Sequence, residues 1–488
     1  MFFYQANREL EAGPTLGRLP PSRNKNGPLI FSISIDRAIT FVSTLFLREA
    51  NPRAITVLKL GVVLNSTVSE SEPSPNRLVR LYFAATGSRF WRICADVDPM
   101  LIAIALPWST TAVILIWILW VFAIFPRLDR SFIDTLRHPV SVWALAMVGL
   151  ASAGVIWAEG PFWARVVAIS PAMKFLFLPL LFFHYQRSPR AHWVFVGFAA
   201  SCTVLLAYSF LIYLHPAWQF TSAHGFDTAG VPIRNAIDQN HEFALCGFGF
   251  AAAAVEMFRR QRHIAGAALI ALAALFFVNI AFVALTRTSL VYIVPLAALF
   301  VLRFSSHRTA VIGIFLLFAT MVAVWSASPY LRNRVQHIAV EYQEFRETNR
   351  PTSTGQRLQY WSSSVEWIRE APLIGHGTGS AKRLFDEAAA NKTGAWGDKI
   401  GNPHNQVLYV AIQWGVLGCI VLVMMWYQHY RYFCGRGLIA WLGTIIVLQN
   451  VLSSMFNSHL FDFTEGWIYV LGVAAAAGAA SRSATKPP

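Results

Sequence analysis

The chain has 488 residues, of which 55% are hydrophobic and only 13% are charged. Soluble domains carry roughly 25% charged residues, so lipid rather than water must surround most of this chain. Its net charge of +15 comes from basic residues scattered in short clusters between apolar runs, which is how Arg and Lys orient membrane helices. Because no continuous basic stripe is visible, we expect no nucleic-acid partner.

The first part of the chain, residues 1–90, differs from the rest. It is rich in Pro, Arg, Ser and Asn, and it lacks the basic start, apolar run and small-residue cleavage site of a secretory signal. Its two apolar runs, 38–47 and 54–64, are shorter than the roughly 20 residues that cross a bilayer. We expect a poorly ordered cytoplasmic extension, or a gene start placed too early.

From residue 90 onward, apolar runs recur at about the length that a membrane helix needs. They predict an all-α polytopic membrane protein with about twelve transmembrane helices. Nine lie within residues 91–327 and three within 406–480, before a cytoplasmic tail at 481–488. The predicted spans are 90–107, 109–125, 141–158, 171–185, 192–214, 241–258, 264–285, 289–303, 309–327, 406–428, 438–456 and 466–480.

The basic residues of the short loops predict the orientation of the chain. With the N-terminus inside, the inner loops hold Arg127, Arg130, Arg137, Arg187, Arg190, Arg259, Arg260, Arg262, Arg303, Arg308, Arg431 and Arg436. The short outer loops and their flanks hold only Arg165, Lys174, Arg234 and Arg287. The positive-inside rule therefore places the long connection 328–405 on the outer, periplasmic side.

The 328–405 connection is too long to be a simple link, and loops of this length usually carry function. A Ser-x-x-Gln pattern at 353–356 matches a capping box and opens an amphipathic helix, which Pro372 ends. The glycines of 375–379 predict a tight turn, and 380–390 a second helix. We expect a small folded helical domain between the ninth and tenth spans.

The segment Asn402-Pro403-His404-Asn405 stands where this connection meets the tenth span. Asn is a favoured N-cap and Pro a favoured first helical residue, so the pattern predicts His404 in the first turn of a membrane helix. The helix dipole there favours a neutral imidazole that can accept a proton, and it also favours anions. His404 is thus a candidate general base or phosphate ligand, with a capping or interfacial histidine as the alternative.

Three arginines on the predicted outer side are candidate anion ligands: Arg234, Arg287 and Arg357. Guanidinium groups bind phosphate through two parallel hydrogen bonds and keep their charge, so the three together could hold a lipid diphosphate. Ordinary contact with lipid head groups is the alternative for any one of them. The remaining candidate substrate-binding residues are Gln239, His241 and Asn405.

Metal and cofactor chemistry has little support in the sequence. No acidic ligand cluster is recognisable on the predicted outer face, so we expect transfer chemistry without a metal. The five cysteines show no C-x-x-C spacing. There is no P-loop, and we therefore expect no ATP and no other cofactor.

Several segments between about residues 95 and 480 resemble the bacterial O-antigen ligase and polymerase superfamily. The most specific of these segments is Pro403-His404-Asn405, at the end of the 328–405 connection. The segments are Arg357-Leu-Gln-Tyr-Trp361, Ala371-Pro-Leu-Ile-Gly-His-Gly-Thr-Gly379, Pro403-His-Asn-Gln-Val-Leu408 and Trp414-Gly-Val-Leu-Gly418. Residues 1–90 match nothing in that superfamily.

The resemblance implies a function. Such ligases move finished polysaccharide from undecaprenyl diphosphate to a sugar hydroxyl of lipid A-core, on the periplasmic face of the inner membrane and without metal or ATP. The implied partners are that donor, that acceptor and membrane lipids. The attacking hydroxyl needs a base, for which His404 is the candidate. The leaving diphosphate needs cations, for which Arg234 and Arg357 come first and Arg287 second.

Two alternatives remain at this point. An O-antigen polymerase or a protein O-oligosaccharyltransferase of the same superfamily would use the same chemistry on another acceptor. A polysaccharide lipid flippase would instead line its lumen with charges across the depth of the membrane. Here the charged candidates gather on the predicted outer side, which favours the enzymes.

Overall fold

The computed structural model describes residues 89–219, 229–284, 286–397 and 399–484. Within these ranges the chain is built from helices joined by turns, without any strand. The predicted fold class, an all-α polytopic membrane protein, is confirmed. The predictions for the N-terminal extension concern residues that lie outside the described ranges, apart from the last two.

The α-helices can be numbered in chain order over the described residues. They are α1 (Arg89–Ala105), α2 (Thr110–Ile124), α3 (Phe132–Arg137), α4 (Pro139–Ala153), α5 (Phe162–Val167), α6 (Ser170–Met173), α7 (Phe177–Arg187), α8 (His192–Leu214), α9 (Ala236–Arg259), α10 (His263–Phe282), α11 (Arg287–Phe304), α12 (His307–Ala327), α13 (Pro329–Thr348), α14 (Ser353–Glu370), α15 (Ser380–Ala389), α16 (Gln406–Tyr432), α17 (Leu438–Ser453) and α18 (Phe463–Ala484).

Nine helical segments of the described ranges are long and apolar enough to cross a membrane, judged by length and composition. Helices α4 and α17 are apolar but shorter. These eleven coincide with eleven of the predicted spans. Helix α1, the remaining predicted span, is not among them. It has 17 residues, which include Asp96 and Asp98.

Helix α18 is the most buried of the nine candidate spans, and α12 is the least buried. Helix α18 packs against α7 and α17, and its run of fully buried alanines, Ala474 to Ala477, allows this close approach. Helix α12 instead exposes large apolar side chains such as Phe315 and Phe318. This burial pattern places α18 in the interior of the bundle and α12 at its lipid-facing edge.

The 328–405 connection contains three helices, α13, α14 and α15. Helices α14 and α15 confirm the two helices expected from the sequence, whereas α13 was not predicted. The expected start of α14 differs by one residue. Its N-cap is Thr352, whose hydroxyl accepts a hydrogen bond from the Gly355 N–H at 3.2 Å.

The predicted glycine turn joins this connection to the membrane helix α16. Helix α16 is interrupted at Gly415, which has φ of 59° and ψ of −152°. The Gly377 N–H donates to the Gln413 carbonyl at 2.8 Å, within the interrupted stretch. A Cβ on Gly375 would lie 2.5 Å from backbone atoms of Gln413. Glycine is therefore required at position 375, and the turn holds the connection against α16.

Candidate active site

One wall of the site begins with Arg234, immediately before α9. Its backbone is left-handed, with φ of 59°. The next residue, Asn235, caps α9 by accepting from the Ile237 and Asp238 N–H groups at 2.8 and 3.0 Å. The Arg234 guanidinium donates to the Thr464 hydroxyl and lies 3.7 Å from an Asp238 carboxylate oxygen. Its Nη2 is buried and has no hydrogen-bond partner among the described residues.

The opposite wall is formed where the chain enters α16. Helix α16 begins at Gln406, and Asn405 is its N-cap, with Oδ1 accepting from the Val407 and Leu408 N–H groups at 3.0 Å. The Asn405 Nδ2 donates to the Met455 carbonyl at 2.9 Å. The prediction that His404 lies in the first helical turn is therefore wrong. The second of two competing asparagines caps the helix, while Asn402 accepts from the His404 N–H at 2.9 Å.

His404 precedes the helix in a left-handed conformation, with φ of 51°. Its Nδ1 lies 2.9 Å from Asn457 Oδ1. An amide oxygen can only accept, so Nδ1 carries the proton and Nε2 is left as the acceptor. Burial lowers the pKa of His404 below its usual value; the Asn457 hydrogen bond opposes this shift, and the charge of Arg357 supports it. The neutral imidazole expected from the sequence is thus favoured by burial rather than by a helix dipole.

His404 and Arg234 line the same cavity, which has a volume of about 320 Å³. Two residues far apart in sequence and predicted to act together are therefore brought to one space. The other lining residues are Asn235, Ile237, Asp238, Asn402, Asn457, Asp462, Phe463, Thr464 and Glu465. The wall is mostly polar, with amides and carboxylates around the imidazole and the guanidinium.

Arg287 lies in an ion pair. Its guanidinium donates to both carboxylate oxygens of Glu341, at 2.8 Å for the Nη1 bond, and to the Thr354 hydroxyl at 3.0 Å. Burial alone would raise the pKa of Glu341, but the hydrogen bonds from Arg287 and Thr354 lower it to about 2. The carboxylate is therefore ionised, and it already neutralises Arg287.

Arg357 is half-buried in α14 and does not line the cavity. Within the described part of the chain its side chain makes no ion pair and no hydrogen bond. Burial and the nearby charge of Arg287 both lower its pKa. Its charge in turn acts on His404 and on His459. Arg357 therefore carries a charge near the cavity that no ion pair of the described residues neutralises. This is expected for a group that binds an anionic substrate.

Gln239 and His241 lie inside the helix bundle rather than on the cavity wall. The Gln239 amide nitrogen lies 3.2 Å from both Ser209 Oγ and Asn279 Oδ1. The His241 ring is buried, with its centroid 5.5 Å from that of His459. Their predicted part in substrate binding stays a prediction, since the described contacts are with other helices and with the loop between α17 and α18.

The stretch 457–465, which runs from the loop after α17 into the first turn of α18, was not among the predicted site residues. It supplies Asn457 and a cluster of His459, Asp462 and Glu465, whose ligand atoms lie within 4.8 Å of one another. The expectation that the predicted outer face lacks an acidic ligand cluster is therefore wrong. A spacing of three residues between the cluster members was the available signal, but the segment is only a short loop between the predicted spans 438–456 and 466–480.

Comparison with known proteins covers part of this chain. The O-antigen ligase family matches residues 267–423, which include Arg287, Arg357 and His404. An uncharacterised protein of Haemophilus influenzae is 30% identical over 102 residues, 21% of this chain and 25% of that protein. The match thus spans about a quarter of that relative. The part of the chain from 267 to 423 is therefore similar to the O-antigen ligase family.

Proposed function

We propose that this protein is an inverting glycosyltransferase that moves O-antigen polysaccharide from undecaprenyl diphosphate to lipid A-core in lipopolysaccharide assembly. The reaction takes place on the periplasmic face of the bacterial inner membrane. The observation that carries the proposal is the cavity lined by both His404 and Arg234. It pairs a neutral base with a cation in one polar space, as attack by a hydroxyl and departure of a diphosphate require.

His404 is the proposed general base. Asn457 occupies its Nδ1, so Nε2 accepts the proton of the acceptor hydroxyl. As that proton leaves, the acceptor oxygen bonds to the anomeric carbon of the donor sugar. The bond from that carbon to the diphosphate oxygen breaks, and its electron pair departs with the diphosphate. One displacement of this kind inverts the configuration of the anomeric carbon.

Arginines are the proposed stabilisers of the leaving diphosphate. Arg234 has a buried Nη2 without a partner among the described residues, and a phosphate oxygen would satisfy it. Arg357 supplies a second charge that no described carboxylate neutralises by an ion pair. Cations held in position before the reaction are often the largest catalytic contribution. Arg287 ranks behind them because Glu341 must release it first. No metal takes part in this transfer step.

Two other enzymes of the O-antigen ligase and polymerase superfamily would use the same chemistry with a different acceptor. An O-antigen polymerase would use a second lipid-linked repeat unit, and a protein O-oligosaccharyltransferase a protein hydroxyl. A polysaccharide lipid flippase is a further candidate. A base and a guanidinium with an unpaired nitrogen line one cavity. This arrangement favours glycosyl transfer over transport.

Lipopolysaccharide from a deletion strain tests the proposal, with complementation by the wild type, by His404→Ala and by a control. The control is Arg369→Ala, an exposed arginine on the same helix as Arg357. We expect the deletion and His404→Ala strains to make core without O-antigen and to accumulate lipid-linked polymer, and the control to restore O-antigen.

Single repeat units attached to core would instead indicate a polymerase. Accumulation of lipid-linked units on the cytoplasmic side would indicate a flippase. Core carrying O-antigen of normal length in the deletion strain would contradict the ligase, the polymerase and the flippase.

A further inference from the structure

The His459 imidazole is fully buried, and neither ring nitrogen makes a hydrogen bond within the described residues. Its Nδ1 lies 3.5 Å from an Asp462 carboxylate oxygen and 3.3 Å from Glu465 Oε1. Glu465 is also buried, and its Oε1 likewise has no hydrogen-bond partner there. Buried polar atoms without partners are costly and rare, so a group at this position must satisfy them.

The two separations from the His459 nitrogen fit a bound metal ion. Ligand atoms around a tetrahedral Zn²⁺, with bonds of about 2.0–2.2 Å, lie about 3.4 Å apart. One imidazole nitrogen and two carboxylate oxygens form a ligand set that suits Zn²⁺, and Mn²⁺ also accepts carboxylate ligands. Asp462 and Glu465 also line the cavity, so water can reach the remaining coordination positions.

The charges around the cluster favour a cation. Lys174 is the nearby lysine, but its Nζ donates to backbone carbonyls, including that of Phe461 at 3.1 Å. Over the described ranges, neither Asp462 nor Glu465 has a Lys or Arg nitrogen within the 4.0 Å of an ion pair. Arg234 instead lies beside Asp238. Lys174 acts on both carboxylates, and Arg234 on Glu465, only through its charge and not by an ion pair.

We propose that His459, Asp462 and Glu465 bind one divalent transition-metal ion, Zn²⁺ or Mn²⁺. The proposed role of the ion is to fix the 457–465 stretch beside the cavity and so to hold Asn457 against His404. This inference rests on the cluster itself and not on the proposed transfer, no step of which uses the ion. The rival arrangement is a protonated His459 held between two carboxylates without metal.

The test uses the full-length chain purified in detergent, stripped with a chelator and titrated with Zn²⁺ or Mn²⁺. We expect one ion per chain and a higher Tm with the ion bound, because a ligand that binds only the folded state stabilises it. His459→Gln, Asp462→Asn and Glu465→Gln should each lose this binding. Two matched controls should retain it: His376→Gln, whose ring contacts the Trp367 carbonyl, and Asp386→Asn on α15.

A second measurement does not depend on how the variants fold. Pulsed electron paramagnetic resonance of Mn²⁺ bound to the wild type should show coupling to an imidazole nitrogen. Absence of saturable binding, binding without that coupling, or equal binding by the wild type and His459→Gln would each overturn the metal site. Loss of transfer in a deletion or His404→Ala strain is a separate result, so the two proposals can fail independently.

Discussion

Two residues of the candidate site, Arg234 and His404, adopt left-handed backbone conformations that non-glycine residues seldom take. Such conformations cost on the order of 1–3 kcal/mol each and persist only where the surroundings enforce them. An asparagine follows or contacts each of these residues. Asn235 caps α9 directly after Arg234, and Asn402 accepts from the His404 N–H. Strain at both positions is consistent with side chains held for chemistry.

The sequence predicted which residue types form the candidate site better than it predicted the surroundings of each residue. Histidine and arginine were recognisable because few other groups can serve as a neutral base or a permanent cation. The contact between His404 and Asn457 joins residues 53 positions apart, and no local pattern predicts such a contact. The same holds for Arg287, whose ion pair with Glu341 depends on how α13 packs.

The first prediction concerns the pH dependence of transfer at saturating donor. Burial lowers the pKa of His404, so the imidazole stays neutral as the pH falls. The acid limb of the pH–rate profile, where protonation of His404 slows transfer, should therefore lie below about pH 6.5, the usual histidine pKa. The Asn457 hydrogen bond opposes that lowering. Asn457→Ala should therefore move the limb to still lower pH.

Asn457→Ala should also slow transfer, since the imidazole loses the partner that fixes its tautomer. The loss should be smaller than the roughly 10²–10⁴-fold expected for removal of a general base. Asn333→Ala, at an exposed position on α13, is the control and should leave rate and profile unchanged. If the acid limb of the pH–rate profile does not move in Asn457→Ala, Asn457 does not position His404.

At the scale of helices, the apolar runs determined most of the fold. Their length and composition sufficed for the membrane helices, because each backbone polar group in lipid must be satisfied within its own helix. Helix starts were less accurate, since neighbouring residues compete for the cap: Thr352 with Ser353, and Asn402 with Asn405. Helix α13 was missed because its sequence is polar and shows little apolar periodicity.

The interruption of α16 at Gly415 is an element-scale feature that the sequence could not assign. A glycine in an apolar run is common in membrane helices, and only the contact with the 371–379 turn explains this one. The Leu373 backbone would lie 2.4 Å from a Cβ on Gly415. The break lets the 328–405 connection hydrogen-bond to a membrane helix, which positions α14 and its Arg357.

At the scale of the whole molecule, the candidate site combines segments from three regions of the chain. The start of α9, the entry to α16 and the 457–465 stretch meet around one cavity. Their charge pattern predicts a periplasmic location. Alkaline phosphatase fused after residue 390 should be active and, fused after residue 306, inactive, because inner loops carry the arginines.

Fusions after residues 160 and 435 are matched controls in short loops of opposite predicted side, the first expected to be active and the second inactive. Activity at 306 and 435 with none at 390 and 160 would place the cavity on the cytoplasmic side. A periplasmic acceptor could not then reach it.

The most direct test of the central claim compares donor affinity and the transfer rate at saturating undecaprenyl-diphosphate donor for purified variants. His404→Ala should lose roughly 10²–10⁴-fold in the saturated rate while donor affinity stays nearly unchanged. Arg234→Ala and Arg357→Ala should weaken donor binding, transfer, or both. Arg234→Lys and Arg357→Lys should restore these properties only in part, because lysine cannot make two parallel hydrogen bonds to a phosphate. Near-normal turnover of His404→Ala at saturating donor would contradict the assignment of His404 as the base.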